Sequence, residues 1–191
     1  DNEYIMSPKD LCTIDILDQV ADSGASIIKI EGRGKSADYV YTVTSCYREA
    51  LQALEDGTYD ELKVKDWMSR LEKVYNRGYW EGYYLGRKLG EWTKNPGSAA
   101  TERKVYIGKS TNFFSKINVA QFEIETGKLK AGDKLLVMGR NFGVHELSFD
   151  DVRVNGVEAH EAKRGDMLTF QMGYKTTVTD KLYKLVPTQD A

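Results

Sequence analysis

The apolar residues of this chain change period once, near residue 104, and that change limits the fold more than any other feature. Before it, apolar positions recur at spacings of three and four. After it, short alternating runs are separated by Gly and Asn turns. The first pattern marks helices packed by one face, and the second marks half-buried strands. A chain of 191 residues carrying both in series is predicted to hold an α/β part followed by an all-β part. The best linker is TKNPGSAATER, where Asn95-Pro96-Gly97-Ser98 breaks both regular structures. The predicted organisation is residues 1–92, a linker at 93–103, and a β module at 104–191.

Within the first part, Ser7-Pro8-Lys9-Asp10 reads as a helix start: a capping hydroxyl, a proline suited to the first turn, and a carboxylate near the N-terminus. Leu11, Ile14, Leu17 and Ala21 would form its buried face, and Ser23-Gly24 its end. Tyr4-Ile5-Met6 is a candidate short strand. Ile27, Ile28 and Ile30 predict a strand apolar on both faces, as in a covered parallel sheet, with Lys29 in need of a polar partner. Ser36 would cap a second helix carrying Tyr39, Val43, Tyr47, Ala50 and Leu54, stopped by Asp56-Gly57. A third helix is predicted from about Asp60 to Asn76. Residues 77–92, RGYWEGYYLGRKLGEW, fit neither period and predict an ordered, irregular segment.

The second part predicts strands at 105–108, 119–125, 135–138, 144–149, 152–154, 167–172 and 182–186, the spacing of a small barrel or sandwich. Lys130-Ala131-Gly132-Asp133 and Lys163-Arg164-Gly165-Asp166 echo each other, each Gly-Asp pair predicting the turn into a strand. In that setting Arg164-Gly165-Asp166 is a turn rather than an adhesion motif.

The hydrophobic fraction of 41% and charged fraction of 29% are those of a soluble globular protein. A net charge of −2 makes no global case for nucleic acid or membrane. Cys12 and Cys46 each fall inside a predicted helix and read as small buried apolar residues; two lone thiols predict a cytoplasmic protein without disulfides. His145 and His160 have no second ligand at metal spacing, so no metal site is predicted within the chain. No run of 18 apolar residues occurs, so no membrane partner is predicted. The polar opening without an initiator Met reads as a piece of a longer protein.

The densest chemistry is IIKIEGRGKSADYV. If 27–30 is a strand, residues 31–35 lie at its carboxyl end, where parallel α/β folds bind ligands. Gly32 and Gly34 let backbone approach a ligand. A helix N-terminus at Ser36, with Arg33 and Lys35 beside it, favours a carboxylate or phosphate. Glu31 would orient Arg33, bind a ligand hydroxyl or act as a base. The competing reading is an Arg–Glu ion pair that shapes the turn. In 77–92, Arg77 and Tyr79 suit phosphate and base contacts, against the alternative that the aromatics form a hydrophobic strap. No nucleophile–base pair of a serine or cysteine hydrolase and no H-E-x-x-H is present.

These residues resemble peptidase family U32, the collagenase-like proteases. The shared pattern is Tyr4, Ile5, Lys9, Asp10 and Leu11; then Lys29 to Arg33, Lys35, Ser36, Tyr39 and Val40; then Tyr47, Arg48 and Ala50. NRGYWEGYYLG is similar to the family's next landmark, and YIGKSTNFFSKINVAQFEIETGKLKAGDKLLVMG to its C-terminal β domain. The resemblance implies the last βα units of a TIM-like barrel followed by a small C-terminal β-barrel. It implies a parent enzyme labelled peptidase or collagenase, or one that hydroxylates the wobble uridine of transfer RNA. It places Lys29, Glu31, Arg33, Lys35 and Ser36 in a strand-end pocket: Glu31 catalytic, the others with Arg77 and Tyr79 binding substrate. It implies an iron–sulfur cluster held outside this chain and no cofactor within it. Expected partners are transfer RNA or polypeptide, the remainder of the same protein, and a second copy in a homodimer. A non-catalytic docking or dimerisation module is the third reading. Two parallel strands cannot close a barrel of about 250 residues, so the isolated chain is expected to be inactive, and its strand at 25–31 to be an open edge.

Overall fold

The computed structural model describes residues 8–86, 91–93 and 97–188. It divides into two compact units, Asp1–Thr101 with Thr188–Ala191, and Glu102–Pro187. The fold is mixed α/β with one large antiparallel sheet.

In the first unit a two-residue strand β1 (Asp10–Leu11) pairs in parallel with β2 (Tyr79–Trp80). Three helices follow the chain: α1 (Leu17–Asp22), α2 (Ala37–Glu55) and α3 (Glu61–Leu71). The buried positions of α2 are Val43, Cys46, Ala50 and Ala53, small residues one helical turn apart. They leave room for Trp67 and Leu71 of α3, which complete a core with Ile14 and Leu17. Asp60 caps α3 by accepting from the Lys63 N–H at 2.9 Å. Gly57, at φ 64°, lets the chain reverse after α2, and the Thr58 N–H then reaches the Ala53 carbonyl at 2.8 Å.

Three expectations change here. The helix predicted from Pro8 begins only at Leu17, because Asp10 and Cys12 donate their N–H groups to the carbonyls of Gly78 and Trp80. That long-range pairing extends the segment that local signals would coil. The run Ile27–Ile30 is not a strand: it has no pairing partner among the described residues, and Ile27 is 88% exposed. A β segment is held by its ladder, not by its own propensity. The third helix ends at Leu71, short of Asn76, and closes in turns. The candidate strand at 4–6 lies outside the described residues. The breaker segment folds back in part: the Ala99 N–H reaches the Asn76 carbonyl at 2.7 Å and the Thr101 N–H the Glu72 carbonyl at 2.9 Å.

The second unit contains β3 (Glu102–Phe114), β4 (Val119–Ile124), β5 (Lys128–Lys130), β6 (Lys134–Gly139), β7 (Gly143–Ser148), β8 (Arg153–Val154), β9 (Val157–Glu158), β10 (Glu161–Lys163), β11 (Met167–Gln171) and β12 (Lys181–Pro187). Eight of them form one sheet in the order β7-β6-β12-β3-β4-β11-β8-β9, and β5 pairs with β10. Among the described residues the end strands β7 and β9 are not paired with each other, so the strands are seen as one large antiparallel sheet without hydrogen-bonded closure. Alternate residues of β4 (Ala120, Phe122, Ile124) and β11 (Leu168, Phe170) are buried in one core with Leu135, Val137 and Phe149. Gly108 is required where β3 meets β4: an added Cβ would lie 1.8 Å from the Glu123 carbonyl oxygen.

The two Gly-Asp turns match atom for atom. Asp133 accepts from the Lys130 N–H and Asp166 from the Lys163 N–H, each at 2.8 Å. Gly132 and Gly165 take φ of 81° and 92°.

Candidate anion-binding site

Residues 31–36 form a tight turn into α2. The Lys35 N–H reaches the Gly32 carbonyl at 3.0 Å, and Gly34 sits at φ 72°. The Glu31 carboxylate accepts from the main-chain N–H of Arg33 at 2.6 Å. It therefore holds the turn, and the described residues show no ion pair between it and the Arg33 guanidinium. Ser36 occupies the N-cap position of α2 with extended backbone and makes no side-chain capping bond.

Lys35 lies over two rings: its Nζ is 3.6 Å from the Tyr75 ring centre and 5.2 Å from that of Tyr39. Both faces are negative in the ring quadrupole and attract a cation. Burial there pushes the ammonium below the ordinary lysine value; Asp10 opposes the shift and Arg77 adds to it. Tyr39 donates its hydroxyl to the Glu31 carbonyl at 3.4 Å, and burial raises its own pKa. Lys29 and Arg33 are exposed.

Arg77 is held from below. Its Nη2 lies 2.7 Å and its Nε 3.0 Å from Asp10 Oδ1, while its main-chain N–H reaches Oδ2 at 2.9 Å. Tyr79 donates to the Leu71 carbonyl at 2.8 Å, packs on the first unit's core, and burial raises its pKa. The turn, Lys35 and the Asp10–Arg77 pair thus act on one another, whereas Tyr79 is tied into the packing. Sequence reasoning missed Asp10 and Tyr75, which it placed in helices; their roles depend on contacts made far along the chain.

Cys12 and Cys46 are 5% and 0% exposed. Burial raises both thiols, Cys46 to about 11. An iron–sulfur cluster takes four cysteine ligands, and these two thiols are packed within the core of the first unit, so they do not by themselves fit one. No group of three metal-ligating side chains occurs among the described residues, and no described helix is long and apolar enough to cross a membrane.

The family model "Peptidase family U32" matches residues 1–94, the segment that carries the turn. The first 94 residues belong to peptidase family U32. A protein named Collagenase from Porphyromonas gingivalis is 44% identical over 184 residues, covering 96% of this chain and 44% of that protein. An uncharacterized protease of Methanocaldococcus jannaschii is 34% identical over 191 residues, covering 98% of this chain and 46% of its own length. The tRNA hydroxylation protein P2 of Bacillus subtilis is 38% identical over 85 residues, 43% of this chain and 28% of that protein. The chain thus spans about half the length of the first two relatives.

Proposed function

We propose that this U32 chain is the C-terminal portion of an RNA-hydroxylating enzyme, the last βα units of a TIM-like barrel followed by a β module, and that the 31–36 turn forms an anion-binding wall of its substrate pocket. One observation carries the reading. The carboxylate at Glu31 is taken by main chain, so the cations around it at Lys29, Arg33 and Lys35 have no acid partner in the turn. Lys35 is moreover destabilised as a cation by its burial, and an incoming anion would relieve that cost. Arg33 and Lys35 take the substrate's anionic groups. Arg77, fixed by Asp10, adds a further positive charge that acts on Lys35. Glu31 orients the turn, with its second oxygen available to a ligand hydroxyl. The homologues named for tRNA hydroxylation make wobble uridine the first substrate to test.

A second reading, polypeptide substrates, is favoured by the near-complete coverage of this chain by the collagenase-named relative. The deciding experiment is mass spectrometry of bulk transfer RNA from cells lacking the gene, complemented with wild type or Arg33→Ala. The expected result is loss of the 5-position oxygen on wobble uridine, restored by wild type and not by the variant. An unchanged spectrum would remove the RNA reading, and gelatin hydrolysis by the full-length protein would then establish the other.

A further inference from the structure

The second unit holds a cleft of about 850 Å³. One wall is β7, through His145, Glu146 and Leu147. The other includes β11, through Thr169, Phe170 and Gln171. β7 is the first strand of the sheet, and beyond β11 only the short strands β8 and β9 continue it.

The register shows which main-chain groups face this cleft. The Phe149 N–H bonds the Asp133 carbonyl, one step beyond the Lys134–Ser148 pair. Hydrogen-bonded pairs alternate along an antiparallel ladder. Leu147 and His145 therefore bond to β6, and the N–H and C=O of Glu146 and Val144 point away from it, to the open side. The Ser148 N–H, of the same parity, is met there by Asp151 Oδ2 at 3.3 Å. On the far wall the Asn155 N–H bonds the Met167 carbonyl and the Met172 N–H the Asn118 carbonyl. By the same alternation Gln171 points its main chain away from β4, past the end of β8. Two stretches of strand edge without a strand partner thus border one cleft.

The side chains are equally specific. On β7, His145 and Leu147 pair with Val137 and Leu135, so they share the core-side face, while Glu146 faces the opposite way. Apolar surface lies close by in Phe170 and in Phe114 and Ile117, 40% and 61% exposed. The charges are two carboxylates, Glu146 and Asp151, against one guanidinium, Arg153. Unpaired amide edges call for a partner that carries alternating N–H and C=O groups, which a polypeptide has and an RNA strand lacks. The carboxylates disfavour a polyanion.

We propose that this cleft binds an extended polypeptide, added as a strand along the free edge of β7, with apolar side chains beside His145 and Leu147 and basic ones beside Glu146 and Asp151. The inference goes beyond the substrate class of the 31–36 site and stands or falls without it.

The test uses the whole chain and fluorescence anisotropy with a labelled short peptide alternating lysine and valine. Its analogues are N-methylated at alternate residues in both registers, and an oligouridylate serves as competitor. The parent peptide is expected to bind saturably. At least one methylated register should bind about tenfold or more weakly, since each blocks several main-chain bonds. Glu146→Pro should weaken binding similarly while Glu146→Gln weakens it less, because proline is tolerated where an edge N–H is unpaired. Absence of peptide binding, equal binding of parent and both methylated peptides, or displacement by oligouridylate overturns the proposal. Should Glu146→Pro not fold, the methylated peptides decide the matter on the unaltered protein.

Discussion

The duplicated turn before β6 and β11 provides an internal experiment on what a buried ion pair adds to a hydrogen-bonded turn. Asp133 and Asp166 accept the same main-chain N–H at the same distance. They differ in surroundings. The Asp133 side chain is 8% exposed and receives Lys184 Nζ at 2.7 Å, itself 21% exposed. Asp166 receives the amide of Asn155 at 2.9 Å in an exposed turn. Asp133→Ala removes the turn's acceptor and also strands a largely buried ammonium, a loss of about 3 kcal/mol at the low end for a broken buried pair. In a domain of this size that lowers the midpoint of the second unit's transition by roughly 12–24 °C. Asp166→Ala removes the turn acceptor alone and should cost clearly less. Lys184→Met on the Asp133→Ala background should recover part of the loss, because no unpaired charge then remains. Calorimetry on the four proteins checks this. Equal midpoints for the two aspartate variants, or no recovery with Lys184→Met, would refute the assignment of the difference to the ion pair.

Glu49 accepts from both Arg70 terminal nitrogens and from the Trp67 indole N–H at 3.0 Å, and the Arg70 bonds hold its pKa below the usual carboxylate value. Its stabilisation is present above the unfolded carboxylate pKa and is lost as pH falls through the depressed folded value; tryptophan-detected melting should show this acid-side loss in wild type and a flatter profile in Glu49→Gln. Lys35 also has a lowered folded pKa, so stability again rises with pH, here because a cost that is full at neutral pH fades as pH rises toward the ordinary lysine value. Lys35→Met should lose that alkaline rise in stability while staying within about 1 kcal/mol of wild type at neutral pH, the cation–π contact and the burial cost offsetting each other. With Cys12 and Cys46 buried and their thiols raised, alkylation by iodoacetamide at pH 8 should require unfolding; prompt labelling of either in the native protein would contradict the packing described.

The β unit was the more legible half because its information is local. Each of the seven predicted runs falls largely on an observed strand, since alternation and a Gly or Asn turn specify a hairpin without help from distant residues. What the sequence did not show were the pair β5–β10 and strand β9, which are two or three residues long and too short to establish a period. In the first unit, α2 and α3 were legible by their stripes, but β1 was not. Asp10 and Arg77 are 67 residues apart, and no local pattern announces that such a pair will turn a well-signalled helix start into a strand.

The candidate site divides along the same line. Position, glycine content and charge sign were readable, and the 31–36 turn does lead into a helix at Ala37. The partners were not, and they change the chemistry inferred. A sequence in which Glu31 and Arg33 flank one glycine suggests two side chains that neutralise each other. The turn instead brings the Arg33 N–H to the carboxylate, so the acid closes the loop and the guanidinium is left for something else. Lys35 looked like a second free cation; it lies against Tyr75 and Tyr39, with Asp10 and Arg77 acting on its charge. Of the three cations, Lys29 and Arg33 are exposed, whereas Lys35 is held against two rings. A held cation with a depressed pKa gains most from a bound anion, so Lys35, rather than the more conspicuous Arg33, should dominate the affinity of this turn for an anionic ligand. Isothermal titration with uridine monophosphate checks this: Lys35→Met should weaken binding more than Arg33→Met, and the reverse order would mean that exposed charge, not fixed geometry, governs the site.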